Sequence, residues 1–242
     1  MSRTLYDLAG EDDACRFSPF CWRSRLALAH KGLDAETVPW RFTEAERLGF
    51  SGQGKVPVLV DNGRAVADSW AIACWLEDRY PDRPSLFDGD GGRAVSRFVN
   101  DWADGVLHPQ VARMVVADIP PLLAPADRAY FRESRERRFG MPLERASADR
   151  AERVASFRRE ALHPLRTTLG RQPWLGGEAP CYADYIVFGA FQWARVCSAF
   201  ELLEDGDPVA AWRERVLDLH GGVARATPDR AAAATARKEA HA

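Results

Sequence analysis

Apolar and polar positions along the chain fall into two regimes. In the first, short apolar runs surround helical stretches. Residues 4–8 read as a strand. Leu26, Ala27 and Ala29 continue an amphipathic helix over residues 18–31, and Gly32 stands where a C-terminal glycine would end it. Residues 36–39 read as a second strand, which completes a βαβ unit. A short helix is expected over residues 43–48. Residues 56–60 and 65–67 are apolar runs around Asn62-Gly63, the strongest short-range hairpin signal. Pro57 sits at the start of the first run, where a missing ladder donor is tolerated. A helix follows Asp68-Ser69, with Ile72, Ala73, Leu76 and Tyr80 at helical spacing.

In the second regime no strand is expected. Tyr80-Pro81-Asp82-Arg83-Pro84 breaks the preceding helix, and residues 88–92 are polar and glycine-rich. Val95, Phe98, Val99, Trp102 and Val106 mark one helix face. His108-Pro109 ends or kinks that helix, since proline disfavours the helical state just before it, and residues 110–117 continue it. Residues 127–139 form a charged helix. Val154, Phe157, Ala161, Leu162, Leu165 and Leu169 lie on one further amphipathic helix. Residues 186–194 are almost wholly apolar, the mark of a buried helix. Residues 212–219 form a last helix, and the alanine-rich residues 231–242 a frayed or loose one. The expected architecture is an α/β domain over residues 1–82, a linker over 83–92 and an all-helical domain over 93–242.

Composition narrows the function. The chain has 242 residues, 46% of them hydrophobic, and a net charge of −2. That supports a substantial core and gives no bulk attraction to nucleic acid or an anionic membrane. The arginine-rich stretch from Arg132 to Arg138 is interrupted by Glu133 and Glu136 and reads as a solvated helix face. No apolar leader or membrane-length run is present. The five cysteines are unevenly spaced and suggest a reducing cytoplasm rather than a disulfide framework. The five histidines show no metal spacing, so no metal is expected.

Candidate chemistry gathers at two helix starts. Ser18 suits the cap position and Pro19 the first helical position. Unpaired N–H groups and partial positive charge there favour an anion. Asp68-Ser69 opens the second helix in the same way and suits a carboxylate. Either pair could equally be a plain helix cap. Ser51-Gly52-Gln53-Gly54-Lys55 has the glycines of a phosphate loop, but a strand follows it rather than a helix, which excludes the nucleotide reading. Cys15 lies beside the first anion site, and Cys21 one turn into the helix faces the core.

Ser18-Pro19-Phe20-Cys21 resembles the Cys-Pro-Phe/Tyr-Cys motif of glutaredoxin-like proteins, with Ser in place of the first Cys. With Val56-Pro57, Asp68-Ser69 and the helical second half in order, the chain resembles a glutathione S-transferase. Ser18-Pro19-Phe20-Cys21-Trp22-Arg23, His30-Lys31-Gly32, Val56-Pro57-Val58, Asp68-Ser69-Trp70 and Tyr80-Pro81-Asp82-Arg83-Pro84 together resemble the bacterial β-etherase type. That type is similar to the fungal FuA class. The resemblance implies a thioredoxin-like first domain with a cis Val56–Pro57 bond, glutathione as co-substrate and a homodimer, with Trp75 or the Arg93 helix near the interface. It implies Ser18 as the residue that holds the glutathione thiolate. Lys55, Val56, Pro57, Asp68 and Ser69 would bind glutathione. Members of the type use glutathione to displace an aryloxide from lignin-derived β-aryl ethers, so a hydrophobic aromatic second substrate is expected. Phe20, Trp22, Trp102 and Met114 are candidates for its pocket, though each could instead be core. Two alternatives stand beside the transferase: a glutathione-dependent carrier of aromatics without turnover, and a thiol transferase working through Cys15. The family's Ser/Thr-x-x-Asp start of the buried helix here carries Cys181 at the hydroxyl position.

Overall fold

A computed structural model describes residues 2–230. The expected tail helix over 231–242 lies outside the described residues. Strand β1 (Arg3–Leu8) leads through an acidic loop to helix α1 (Pro19–His30), and β2 (Glu36–Trp40) returns parallel to β1. A short 3₁₀ segment, Ala45–Ser51, stands where a helix over 43–48 is expected. Strands β3 (Val58–Asp61) and β4 (Arg64–Ala67) then form an antiparallel hairpin. Its turn residues Asn62 and Gly63 both have positive φ, 49° and 85°, the turn geometry that matches strand twist. The four-stranded sheet runs in the order β2-β1-β3-β4. Helix α2 (Ser69–Arg79) packs with α1 against it, burying Leu5, Leu59, Ile72 and Leu76.

The helical part begins with α3 (Asp90–Trp102), which starts inside the stretch expected as linker. The helix does not end at His108-Pro109. One π-helical turn, Ala103–Leu107, joins α3 to α4 (His108–Val115). The helix expected through residues 154–169 carries the same device: α7 (Arg150–Ser156) passes through a π-turn, Phe157–Ala161, into α8 (His163–Leu169) with its own His163-Pro164. Proline cannot donate to the carbonyl one turn back, and a widened turn ahead of it absorbs the mismatch without breaking the rod. Between these lie α5 (Pro125–Phe139) and the single turn α6 (Leu143–Ala146).

Helix α9 (Tyr182–Cys197) runs through the centre, with nearly every side chain buried, and lies against α1. Asp184 holds its start. The carboxylate accepts from the backbone N–H of Cys181 at 3.0 Å and of Leu175 at 2.9 Å, and from the Trp212 indole at 2.8 Å. Trp212 belongs to the last helix, α10 (Pro208–Gly222). These donors offset part of the cost of an interior carboxylate, though burial still holds the Asp184 pKa above its ordinary value. Among the described residues no helix is long and apolar enough to cross a membrane, and no cluster of His, Cys, Asp and Glu could hold a metal.

Candidate functional site

Ser18 caps α1 in extended geometry, and its Oγ accepts from the Cys21 N–H at 3.3 Å. The side chain is nearly buried but lines a cleft of about 320 Å³ between the sheet domain and the helices. Lys55 and Val56 line the same cleft from the loop before β3. The Val56–Pro57 peptide is cis, as the resemblance implies. The Pro57 carbonyl accepts from the Asp68 N–H at 3.2 Å, which ties that loop to the start of α2. Asp68 has φ 81° and its carboxylate accepts from the N–H groups of Trp70 and Ala71, at 2.9 and 3.1 Å. Ser69 is buried, and its carbonyl accepts from the Tyr182 hydroxyl at 2.7 Å. Of the expected glutathione residues, Ser18, Lys55 and Val56 share the cleft lining; Pro57, Asp68 and Ser69 stand off it, with Asp68 joined to the Val56–Pro57 loop through the Pro57 carbonyl.

The aromatic wall differs from the expected set. Phe20 lines the cleft. Trp22 and Met114 do not: both are fully buried, Trp22 with its indole N–H on the Arg16 carbonyl at 2.9 Å and Met114 in the core under α4. Trp102 is half-buried against the same core and also stands off the cleft. The wall is built instead from Trp40, Phe42, Tyr130, Phe131, Phe139 and Trp193. Phe42 is its centre, stacked on Tyr130 with ring centres 6.0 Å apart and tilted on Phe131 at 5.7 Å. These rings come from separated segments, which no single helical period connects. Only Phe131 and Phe139, on one face of the 127–139 helix, left a local signal.

Sequence reading also misses the polar group at the cleft floor. The π-turn carries Asp104, and His108 follows it. Fully buried Arg23 donates to Asp104 Oδ1 at 2.7 Å and to Asn100 Oδ1 at 2.9 Å, meets His108 Nε2 at 3.3 Å and lies over the Phe20 ring, 4.8 Å from its centre. A guanidinium only donates, so Nε2 accepts and the imidazole proton lies on Nδ1. Burial, then the charges of Arg23 and Arg138, push the His108 pKa down to about 3. His108 is thus a neutral ring in the wall, edge-on to Phe20 at 5.2 Å. A smaller cavity of about 100 Å³ between α9 and α10 is lined by ion-paired groups, among them Arg213 with Glu201 and Arg225 with Glu214.

The glutathione S-transferase N-terminal domain family covers residues 17–79, and the glutathione S-transferase C-terminal domain family covers residues 94–225. The chain belongs to the glutathione S-transferase family. That family uses glutathione as co-substrate. Glutathione S-transferase U22 of Arabidopsis thaliana is 26% identical over 180 residues, 73% of this chain and 69% of that protein. The crystal structure of glutathione transferase GSTFuA3 from Phanerochaete chrysosporium superposes with a TM-score of 0.78 at 26% identity, over 89% of this chain and 96% of that one. A Ceriporiopsis subvermispora glutathione S-transferase solved with glutathione gives a TM-score of 0.75 at 23% identity, over 91% of this chain and 98% of that one. That last likeness speaks to the fold.

Proposed function

We propose that this glutathione transferase holds the glutathione thiolate at Ser18 and presents it to an aromatic electrophile in the cleft. The observation that carries the reading is that Ser18 and Val56 line one aromatic cavity, with the Asp68 N–H tied to the carbonyl of Pro57, next to Val56. Ser18 Oγ accepts from the Cys21 amide, and its own O–H, which has the buried Cys21 thiol beside it, turns to donate toward a sulfur in the cleft. The α1 N-terminus adds partial positive charge, and such surroundings lower a thiol pKa. Glutathione lies extended, its cysteinyl unit on the Val56 backbone, its glycyl carboxylate at Lys55 and its γ-glutamyl end at Asp68 and Ser69. The thiol proton passes to solvent. The thiolate forms a carbon–sulfur bond, and the leaving group departs with the electron pair of the bond it breaks. Cleavage of a lignin-derived β-aryl ether, with aryloxide leaving, is one reaction of this form.

The Cys15 thiol-transferase alternative has less behind it. Burial, then the Asp12 charge, pushes the Cys15 thiol up to about 11, so it stays protonated at neutral pH, and it does not line the cleft. A homodimer in the cytoplasm fits the same reading. The apolar side chains Val95 and Phe98 stand exposed on α3, and sedimentation of the purified protein tests the dimer.

The test is a glutathione titration followed by thiolate absorbance, wild type against Ser18→Ala. A bound thiol of depressed pKa that reverts in the variant, with turnover falling about 100-fold or more, is the expected result. Aromatic binding with unchanged thiol pKa in the wild type supports the carrier instead. Turnover surviving in Ser18→Ala removes the role given to Ser18.

A further inference from the structure

Helix α5 carries two kinds of arginine. On its solvent side Arg132 pairs with Glu136 and Glu144, and Arg137 pairs with Glu133. Arg135 and Arg138 project instead into the cleft. Among the described residues neither has a carboxylate partner. Arg135 is half-buried, with its guanidinium 4.8 Å from the Phe131 ring centre and 5.3 Å from that of Phe42. Its one hydrogen bond goes to Ser134 Oγ at 3.0 Å. Burial lowers its basicity and the Arg138 charge lowers it further. A guanidinium held partly out of water beside a second cation is costly unless an anion joins it.

The cleft itself supplies no such anion. Asp104 is the carboxylate on its lining, and it is engaged by Arg23 at 2.7 Å. Lys55 also lines the cleft, from the loop before β3 rather than from α5. The remaining lining is aromatic or aliphatic apart from neutral His108 and the Ser18 hydroxyl. Two uncompensated guanidiniums beside stacked rings suit a flat molecule with one negative end, because a guanidinium fork matches a carboxylate in shape and charge.

We infer that the second substrate is an aromatic carboxylate, its ring against Phe42 and Tyr130 and its carboxylate on Arg135 and Arg138. This rests on the transferase reading and adds the charge of the electrophile to it. The displacement keeps the same balance: carbon–sulfur bond made, carbon–leaving-group bond broken, leaving group released with its electron pair. The carboxylate takes no part in the chemistry.

The test uses 4-chloro-3-nitrobenzoate and the neutral 4-chloro-3-nitrobenzamide, each with saturating glutathione. Each kcat/KM is divided by that compound's uncatalysed rate with glutathione. The wild type should favour the carboxylate about tenfold or more, the range that charge-assisted hydrogen bonds supply. The preference should shrink with added salt. In the double variant R135Q/R138Q the ratio should fall to about one, mainly through KM. Arg138 is exposed, so R138Q keeps the fold whatever the double variant does, and by itself should lower the ratio several-fold. A wild-type ratio near one, or a preference that survives in R138Q and the double variant, overturns the inference while leaving the transferase intact. If the protein binds glutathione but turns over neither compound, the transferase reading falls and this inference with it.

Discussion

The carbonyl oxygen of Pro19 lies 2.5 Å from where a β-carbon on Gly189 would stand. The first turn of α1, which carries Ser18, therefore rests directly on the backbone of α9. A side chain at 189 would meet backbone, which cannot swing aside. Gly189→Ala should lower stability by about 1–3 kcal/mol, the usual cost of overpacking. It should also lower kcat by displacing the Ser18 turn. Urea unfolding and steady-state kinetics on one preparation check both.

Asp104 compensates a fully buried cation. Asp104→Asn keeps the shape and leaves Arg23 without its carboxylate. Because the Asp104 side chain is partly exposed, at 38%, the loss should fall below the full cost of breaking an interior pair, at about 1–3 kcal/mol. A shift in urea midpoint at unchanged slope reads it.

The two walls of the cleft are joined by one carboxylate. Asp127, buried on α5, accepts from the Thr43 N–H at 2.9 Å and from its hydroxyl at 2.8 Å. Thr43 adjoins Phe42. Asp127→Ala strands that backbone donor, at about 1–3 kcal/mol. It should raise KM for the aromatic substrate more than KM for glutathione, because only the aromatic wall is released. Two-substrate kinetics separate the two constants.

Acid should loosen the domain interface through its histidines. Buried His108 has its folded pKa depressed to about 3; His220, solvent-exposed but hydrogen-bonded to the Tyr185 hydroxyl, is lowered to about 4, and solvent screening makes its contribution the smaller. Above the ordinary value of about 6.5 both states are neutral and nothing is lost. As pH falls below it the unfolded chain takes up protons that the folded one refuses, so stability falls. The window runs from about 6.5 down to the folded values. Each fully shifted group adds at most about 1.4 kcal/mol per pH unit to the slope. His108→Gln should flatten the dependence between pH 6 and pH 4 in urea titrations, and an unchanged slope would show that His108 is not its source.

Much of the first domain was legible because its signals are local. Asn62-Gly63 demands positive φ at both positions, Ser18-Pro19 a helix start, and Asp68 a cap whose donors lie two and three residues on. The family motifs rest on the same short spacings. The second domain was legible as helices but not in its joints. His108-Pro109 reads as an end or kink because proline statistics describe regular helices, whereas the packing of α3 and α4 against α9 keeps the rod continuous through a π-turn. That turn is what brings Asp104 and His108 to the cleft floor.

Which aromatics line the cleft could not be read from the chain. Trp22 and Phe20 are two residues apart on one helix, yet one is core and the other wall, since residues so spaced point in different directions. Arg135 and Arg138 lie among other arginines that sequence treats alike, and only the docking of α5 along Phe42 separates the paired from the unpaired. The sequence by itself determined most of the elements, the helix starts at Ser18 and Asp68, and the family. Tertiary structure decided the cleft: its rings, its cations and its buried Arg23 pair come from segments far apart in the chain, and only burial of the core brings such groups together.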